Sequence, residues 1–149
     1  MIASRPWLRA AGWMSVAASL LHVAVIIGGP DWYRFFGAGE EMARAAEHGS
    51  LAPAIVTSIV AGILATWAAF VFGAAGLTRR LPLTRTALVA IAAVLLARAA
   101  LGLVPSLWAP EQWPAFAFWS SGICFVMGAC FALGTWLAWP QLSQRKAVS

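Results

Sequence analysis

Charge is what this chain of 149 residues has least of: ten Lys and Arg, five Asp and Glu, and two His. Charged residues make up 10% of it, against the roughly 25% usual in a soluble globular domain. That shortage excludes a soluble fold. With 62% hydrophobic residues and a mean hydropathy of +0.81, the composition indicates a membrane protein organised as one domain over residues 1–149. Cysteine is also scarce. Cys124 and Cys130 lie in one apolar run, about 9 Å apart along a helix and beyond the roughly 4.4 to 6.8 Å of a disulfide. They form no CxxC, which argues against thiol redox chemistry, and no residue set reads as a cofactor or metal site. The net charge of +5 does not point to nucleic acid, because the basic residues form no stripe or tract.

What is present is length and punctuation. A bilayer core about 30 Å thick needs roughly 20 apolar residues in helix. Four stretches meet that length: Ala10 to Gly28, Leu51 to Leu77, Thr84 to Val104 and Pro114 to Trp139. Gly28-Gly29-Pro30 ends the first, Ser50 caps the second with Pro53 in its first turn, and Pro105 and Pro140 are expected to stop the third and fourth. Arg5 and Arg9 before the first run resemble a signal peptide, but the run lacks a convincing cleavage site and reads as a retained anchor. The fold class expected is all-α, an integral membrane antiparallel four-helix bundle with a short outer interfacial helix near residues 40–48.

All five acids, Asp31, Glu40, Glu41, Glu47 and Glu111, fall in two connections on one side. Most basic residues fall on the other: Arg5, Arg9, Arg79, Arg80, Arg85, Arg145 and Lys146, against Arg34 and Arg44 beside the acids. The positive-inside rule then predicts both termini in the cytoplasm. Trp7, Trp13, Trp136 and Trp139 mark the inner interface, and Trp32, Tyr33, Trp108 and Trp113 the outer one. Ala61, Ala65, Ala69 and Gly73 predict a smooth face on the second span for a membrane-protein partner, with a shorter version at Gly128 and Ala132.

Several polar residues share one depth. Arg98, the charged residue inside a span, His22, Thr57, Ser58, Ser120 and Ser121 all lie about 9 to 11 Å below the outer boundary. A charge at the membrane centre costs at least about 2.5 to 3.5 kcal/mol, so Arg98 needs a partner or a wet pocket. Helical side chains lean toward their own N-terminus, which predicts that Arg98 and His22 point down into the membrane. One reading is an outer-half pocket in which Arg98 anchors an anion or carbonyl and His22 exchanges a proton or a hydrogen bond. The other is purely structural, with Arg98 paired to a loop carboxylate and His22 bonded to a backbone carbonyl.

The connection from Asp31 to Ser50 supplies acids for either reading. Glu40 to His48 reads as a short helix ending at Gly49, with an i,i+4 pair between Glu40 and Arg44. Trp32, Tyr33, Phe35, Phe36 and Met42 are expected to seat it against headgroups. It acts either as a surface helix or as a lid whose Glu40 or Glu41 reaches Arg98 and His22.

A histidine-bearing first span, the Asp31-Trp-Tyr-Arg-Phe-Phe-Gly-Ala-Gly-Glu segment, Arg80-Leu-Pro-Leu and Trp119-Ser-Ser together resemble a group of small bacterial four-span membrane proteins of unassigned function. The resemblance covers nearly the whole chain and implies a bacterial inner-membrane location, with no activity attached. Better-known four-span classes fit poorly: the first span lacks the acid of small multidrug exporters, and the cysteines lie too deep for quinone-coupled disulfide enzymes. The leading expectation is a protein holding a membrane lipid or small apolar ligand. The alternatives are a membrane enzyme using Glu40 or Glu41 with His22, and a small subunit of a transporter or another membrane complex. Single cysteines introduced between residues 31 and 50 are expected to label with a membrane-impermeant maleimide from outside intact cells; labelling only after lysis would reverse the orientation.

Overall fold

The computed structural model describes residues 4–108 and 115–143. These residues form six helices and no strand: α1 (Ser4–Gly28), α2 (Pro30–Phe35), α3 (Glu40–Glu47), α4 (Ala52–Ala74), α5 (Thr84–Trp108) and α6 (Ala115–Ser143). The helices α1, α4, α5 and α6 are each long and apolar enough to cross a membrane, which is the mark of a multi-pass membrane protein. The short helix expected near residues 40–48 is α3, and α2 is an addition.

Glycine and proline behave differently as helix ends. Gly37, Gly49 and Gly76 each adopt a left-handed φ, at 65°, 75° and 76°. Around each, the glycine N–H bonds three residues back and the next N–H five back, as in Gly49 to Ala46 at 3.0 Å and Ser50 to Ala45 at 2.9 Å. This double closure satisfies the last carbonyls of α2, α3 and α4 without any side chain. Prolines do not stop the helices as expected. Pro105 lies inside α5 and Pro140 inside α6. A proline there removes one N–H and frees one carbonyl, and membrane helices tolerate that where nearby groups compensate. The first helix already includes Ser4, the first described residue, and so extends before the apolar run that begins at Ala10.

The chain forms two compact units, residues 1–14 with 67–149 and residues 15–66. In the first, α5 and α6 pack antiparallel: Gly102 lies against Ser121, Gly128 against Leu95 and Leu96, and Arg85 against Ser143. The buried stripe of α5 is Leu88, Ile91, Ala92, Leu95 and Ala99, recurring every three or four residues. Opposite it, α6 buries Ser121, Met127, Phe131, Thr135 and Ala138. The early turns of α1 join this unit through Leu8, whose side chain lies 2.8 Å from where a Cβ on Gly134 would stand, and through Trp13, edge-on to Phe72 at 5.4 Å.

The second unit has a small core of its own. Val25, Tyr33 and Ala43 are buried together, with Phe36 and Ala46 packed against them. Tyr33 is therefore 2% exposed and a core residue rather than an interfacial anchor. The indole of Trp32 lies so close over Gly28 that a Cβ there would collide with it, and Ser19 Oγ donates to the Ala61 carbonyl at 2.9 Å.

The small-residue face of α4 is not the face the chain buries. Ala61 and Gly73 are buried, but Ala65 and Ala69 are exposed, and the buried stripe runs Ala61, Leu64, Ala68 and Val71. At 3.6 residues per turn a strict four-residue repeat drifts around the helix, so part of it leaves the contact. The shorter version on α6 does pack, since Gly128 meets Leu95 and Leu96 at 3.0 to 3.1 Å from an added Cβ.

Two glycine substitutions separate packing from propensity. Gly134→Leu would force a side chain into Leu8 and is expected to lower stability by about 1 to 3 kcal/mol. Gly62→Leu, where a Cβ meets nothing within 4 Å, is expected to be neutral or stabilising by up to about 1 kcal/mol. Reversible unfolding in detergent micelles measures both; equal effects would contradict the packing described.

Candidate functional site

Arg98 lies on α5 four residues before Gly102, and its guanidinium is not where a helical side chain would ordinarily lean. Nη1 donates to Ser121 Oγ at 3.0 Å and Nη2 to Ser120 Oγ at 3.4 Å. The same Nη1 lies 2.9 Å from where a Cβ on Gly102 would stand, and Ser121 Oγ is closer still. The side chain thus rises a full turn toward the C-terminal end of α5, contrary to the downward lean expected from sequence. A long aliphatic stem permits this, carrying the charge toward the helix end while its methylenes stay on apolar surface. Gly102 is what lets the guanidinium and the hydroxyl share the space beside the α5 backbone.

The electrostatics of this cluster are one-sided. Of the five acids in the sequence, four lie in the other unit and Glu111 lies outside the described residues, so the described part of this unit contains no carboxylate. Arg98 is met there by two hydroxyls, which are neutral, and Ser120 Oγ in turn donates to the Ala117 carbonyl at 3.3 Å. A guanidinium presents five N–H donors in a planar fork suited to a carboxylate or phosphate. Hydroxyls orient it without cancelling its charge.

The remaining expected site residues belong to the second unit. The ring of His22 is half-buried, and its Nδ1 lies 2.7 Å from the Ala18 carbonyl. A carbonyl only accepts, so this contact places the proton on Nδ1 and leaves Nε2 as the acceptor. Thr57 is buried, while Ser58 is exposed and lines an open, apolar groove of about 400 Å³ with Leu51, Ala54, Ile55 and Ile59. A second cavity, of about 180 Å³, lies between α5 and α6. Neither is lined by His22 or Arg98.

Glu40 is committed to arginines within its own unit. Arg34 holds it through two parallel bonds, Nε to Oε2 at 2.9 Å and Nη2 to Oε1 at 3.0 Å, and Arg44 Nε adds a third at 3.1 Å. Arg34 Nη1 also donates to Glu47 at 2.7 Å and lies 3.6 Å from Asp31. One guanidinium therefore gathers three acids from α2 and α3. Hydrogen bonds from Arg34, then from Arg44, pull the Glu40 carboxyl down to about 2. Arg34 likewise holds the Glu47 carboxyl below its ordinary value, and the two acids raise the guanidinium. A carboxylate held ionised in this way is a poor proton donor or base near neutrality, whereas Glu41 is exposed and outside the clasp.

Sequence reasoning placed Glu40 with Arg44 but missed Arg34 and the helix α2 that carries it. The signals were present: Gly29 before Pro30, Asp31 in the first turn, and Gly37 as the left-handed stop. No family model matches the chain, and no curated protein or solved structure is similar enough to match it.

The clasp gives the outer connection a defined acid limit. Because the Glu40 carboxyl falls from 4.5 to about 2 on folding, its contribution is complete above 4.5 and is lost as pH drops toward 2. Amide exchange in α3, measured in micelles, is expected to be independent of pH-corrected conditions above pH 5 and to accelerate below 4.5 as the carboxylate protonates. Arg34→Gln is expected to bring fast exchange already at neutral pH; unchanged protection in that variant would dismiss the clasp.

Proposed function

We propose that this protein is a small multi-pass protein of a bacterial inner membrane, with both termini in the cytoplasm, and that it holds a lipid or small apolar ligand bearing an anionic or carbonyl group at Arg98. The observation that carries this reading is a guanidinium steered by Ser120 and Ser121 in a unit whose described residues hold no acid. In a membrane such a charge is costly while uncompensated, and an anionic or carbonyl group docked on the free edge of the guanidinium lowers that cost. Ser120 and Ser121 fix the plane of the fork, and Gly102 leaves room for it beside the α5 backbone. The charge count supports the orientation, since seven basic residues fall on the side opposite the acid-rich connection.

Proton transfer by Glu40 draws nothing from its environment, because two arginines keep it ionised. A binding role asks only for charge and shape, which Arg98 and its hydroxyls supply.

Lipid and metabolite identification in gently purified protein tests the reading. Wild type is expected to retain a defined molecule with an anionic or carbonyl group, Arg98→Lys to retain less of it, and Arg98→Ala to lose it while remaining folded. Because breaking hydrogen bonds to a charged group costs about 1.5 to 3 kcal/mol, retention is expected to fall roughly ten- to hundredfold in Arg98→Ala. Unchanged retention in that variant would remove Arg98 from any site.

A further inference from the structure

The opposite end of the α5–α6 pair carries a second feature that the Arg98 cluster does not explain. The cavity of about 180 Å³ there is walled by Val89, Ala92, Ala132, Thr135, Trp136 and Trp139, and it is overwhelmingly apolar. Its walls are partly open to the surroundings, with Trp136 77% and Val89 46% exposed. Thr135 brings a hydroxyl, but that oxygen is buried without a partner among the described residues, so the polar end of the feature is elsewhere.

That end is Arg85. Its guanidinium stacks over the ring of Trp139 at 3.7 Å and donates to Ser143 Oγ at 3.1 Å. Arg80 reaches the same end of α6, donating to the Gln141 carbonyl at 3.1 Å. Both arginines thus bond the last turn of α6 through neutral acceptors, in a unit whose described residues contain no carboxylate. Trp139 joins the two parts, being at once a wall of the cavity and the platform for the cation. From Arg85 to Ala92 the feature extends about 10 Å along α5, with charge at one end and hydrocarbon surface at the other.

We propose that this groove binds an anionic glycerophospholipid, with its phosphate at Arg85 and Arg80 and one acyl chain along Val89, Ala92 and Trp136. Charge complementarity selects the occupant. A zwitterionic lipid would satisfy the apolar wall but bring its own cation to the arginines, and a soluble anion would leave the wall uncovered. The stacked indole holds the Arg85 fork in place beside the chain, as expected for a tryptophan at a membrane interface. The site is separate from Arg98 and uses none of its residues.

The test uses the full chain in micelles, with native mass spectrometry after adding phosphatidylglycerol, phosphatidylcholine of identical chains, or inorganic phosphate. Wild type is expected to retain phosphatidylglycerol preferentially, by about fivefold for each arginine engaged, the factor equivalent to about 1 kcal/mol per basic residue at an anionic surface. Arg85→Gln is expected to reduce that preference while leaving phosphatidylcholine retention unchanged, and Arg85→Lys to keep most of it. Ala132→Leu, which fills the cavity, is expected to reduce retention of both lipids. Equal retention of the two lipids by wild type would overturn the proposal, as would a preference untouched by Arg85→Gln in a variant whose unfolding midpoint matches wild type. Phosphate that competes as well as the lipid does would reassign the groove to a free anion. Loss of binding here with Arg98 ligand retention intact, or the reverse, keeps the two sites distinguishable.

Discussion

Hydrocarbon offers a peptide group nothing to bond with, and the rest of this molecule follows from that. Each long apolar segment must close its own backbone hydrogen bonds, so all four of them are helices. The hard places are then the ends, where four carbonyls lose their partners. Three of these ends are closed by the same backbone device around Gly37, Gly49 and Gly76, which spends no side chain on the task. The few polar side chains are therefore left for other work.

The sparse charge is used in two contrasting ways. In the connection of α2 and α3, Arg34 collects Asp31, Glu40 and Glu47 above the small core of Val25, Tyr33 and Ala43. Among the described residues, Arg85 and Arg98 of α5 and Arg80 just before it meet hydroxyls, a carbonyl and an aromatic face. The first arrangement neutralises charge and the second orients it. A neutralised cation has its fork occupied by acids, whereas an oriented one keeps its charge, and this contrast separates the clasp from the other two arginine clusters.

How much of this was legible in the sequence differs by residue. The four spans were readable because composition alone dictates them, and the stop at Gly49 was readable because a left-handed turn has few other solutions, whereas the same closures at Gly37 and Gly76 went unread. Proline boundaries were not, since Pro105 and Pro140 weaken a helix locally and the apolar surroundings carry it onward. Depth along a helix was computable, so Arg98, Ser120 and Ser121 were rightly grouped by level. The direction of Arg98 was not, because a flexible stem obeys its partners more than the average lean of helical side chains. Tyr33 shows the same limit: which face a residue presents is decided by packing between helices, which no single-segment pattern contains.

Gly102 ties two properties together in one position. Its missing side chain sets how closely α6 can approach α5 at Ser121, and it also makes room for the Arg98 fork. Helix spacing and the aim of the Arg98 guanidinium therefore cannot drift independently at this level of the molecule. A chain that widened the gap to accept a larger residue would also slacken the hydroxyl that aims the guanidinium. Selection on either property constrains the other, and a redesign of this pair would have to move 98, 102 and 121 as one unit.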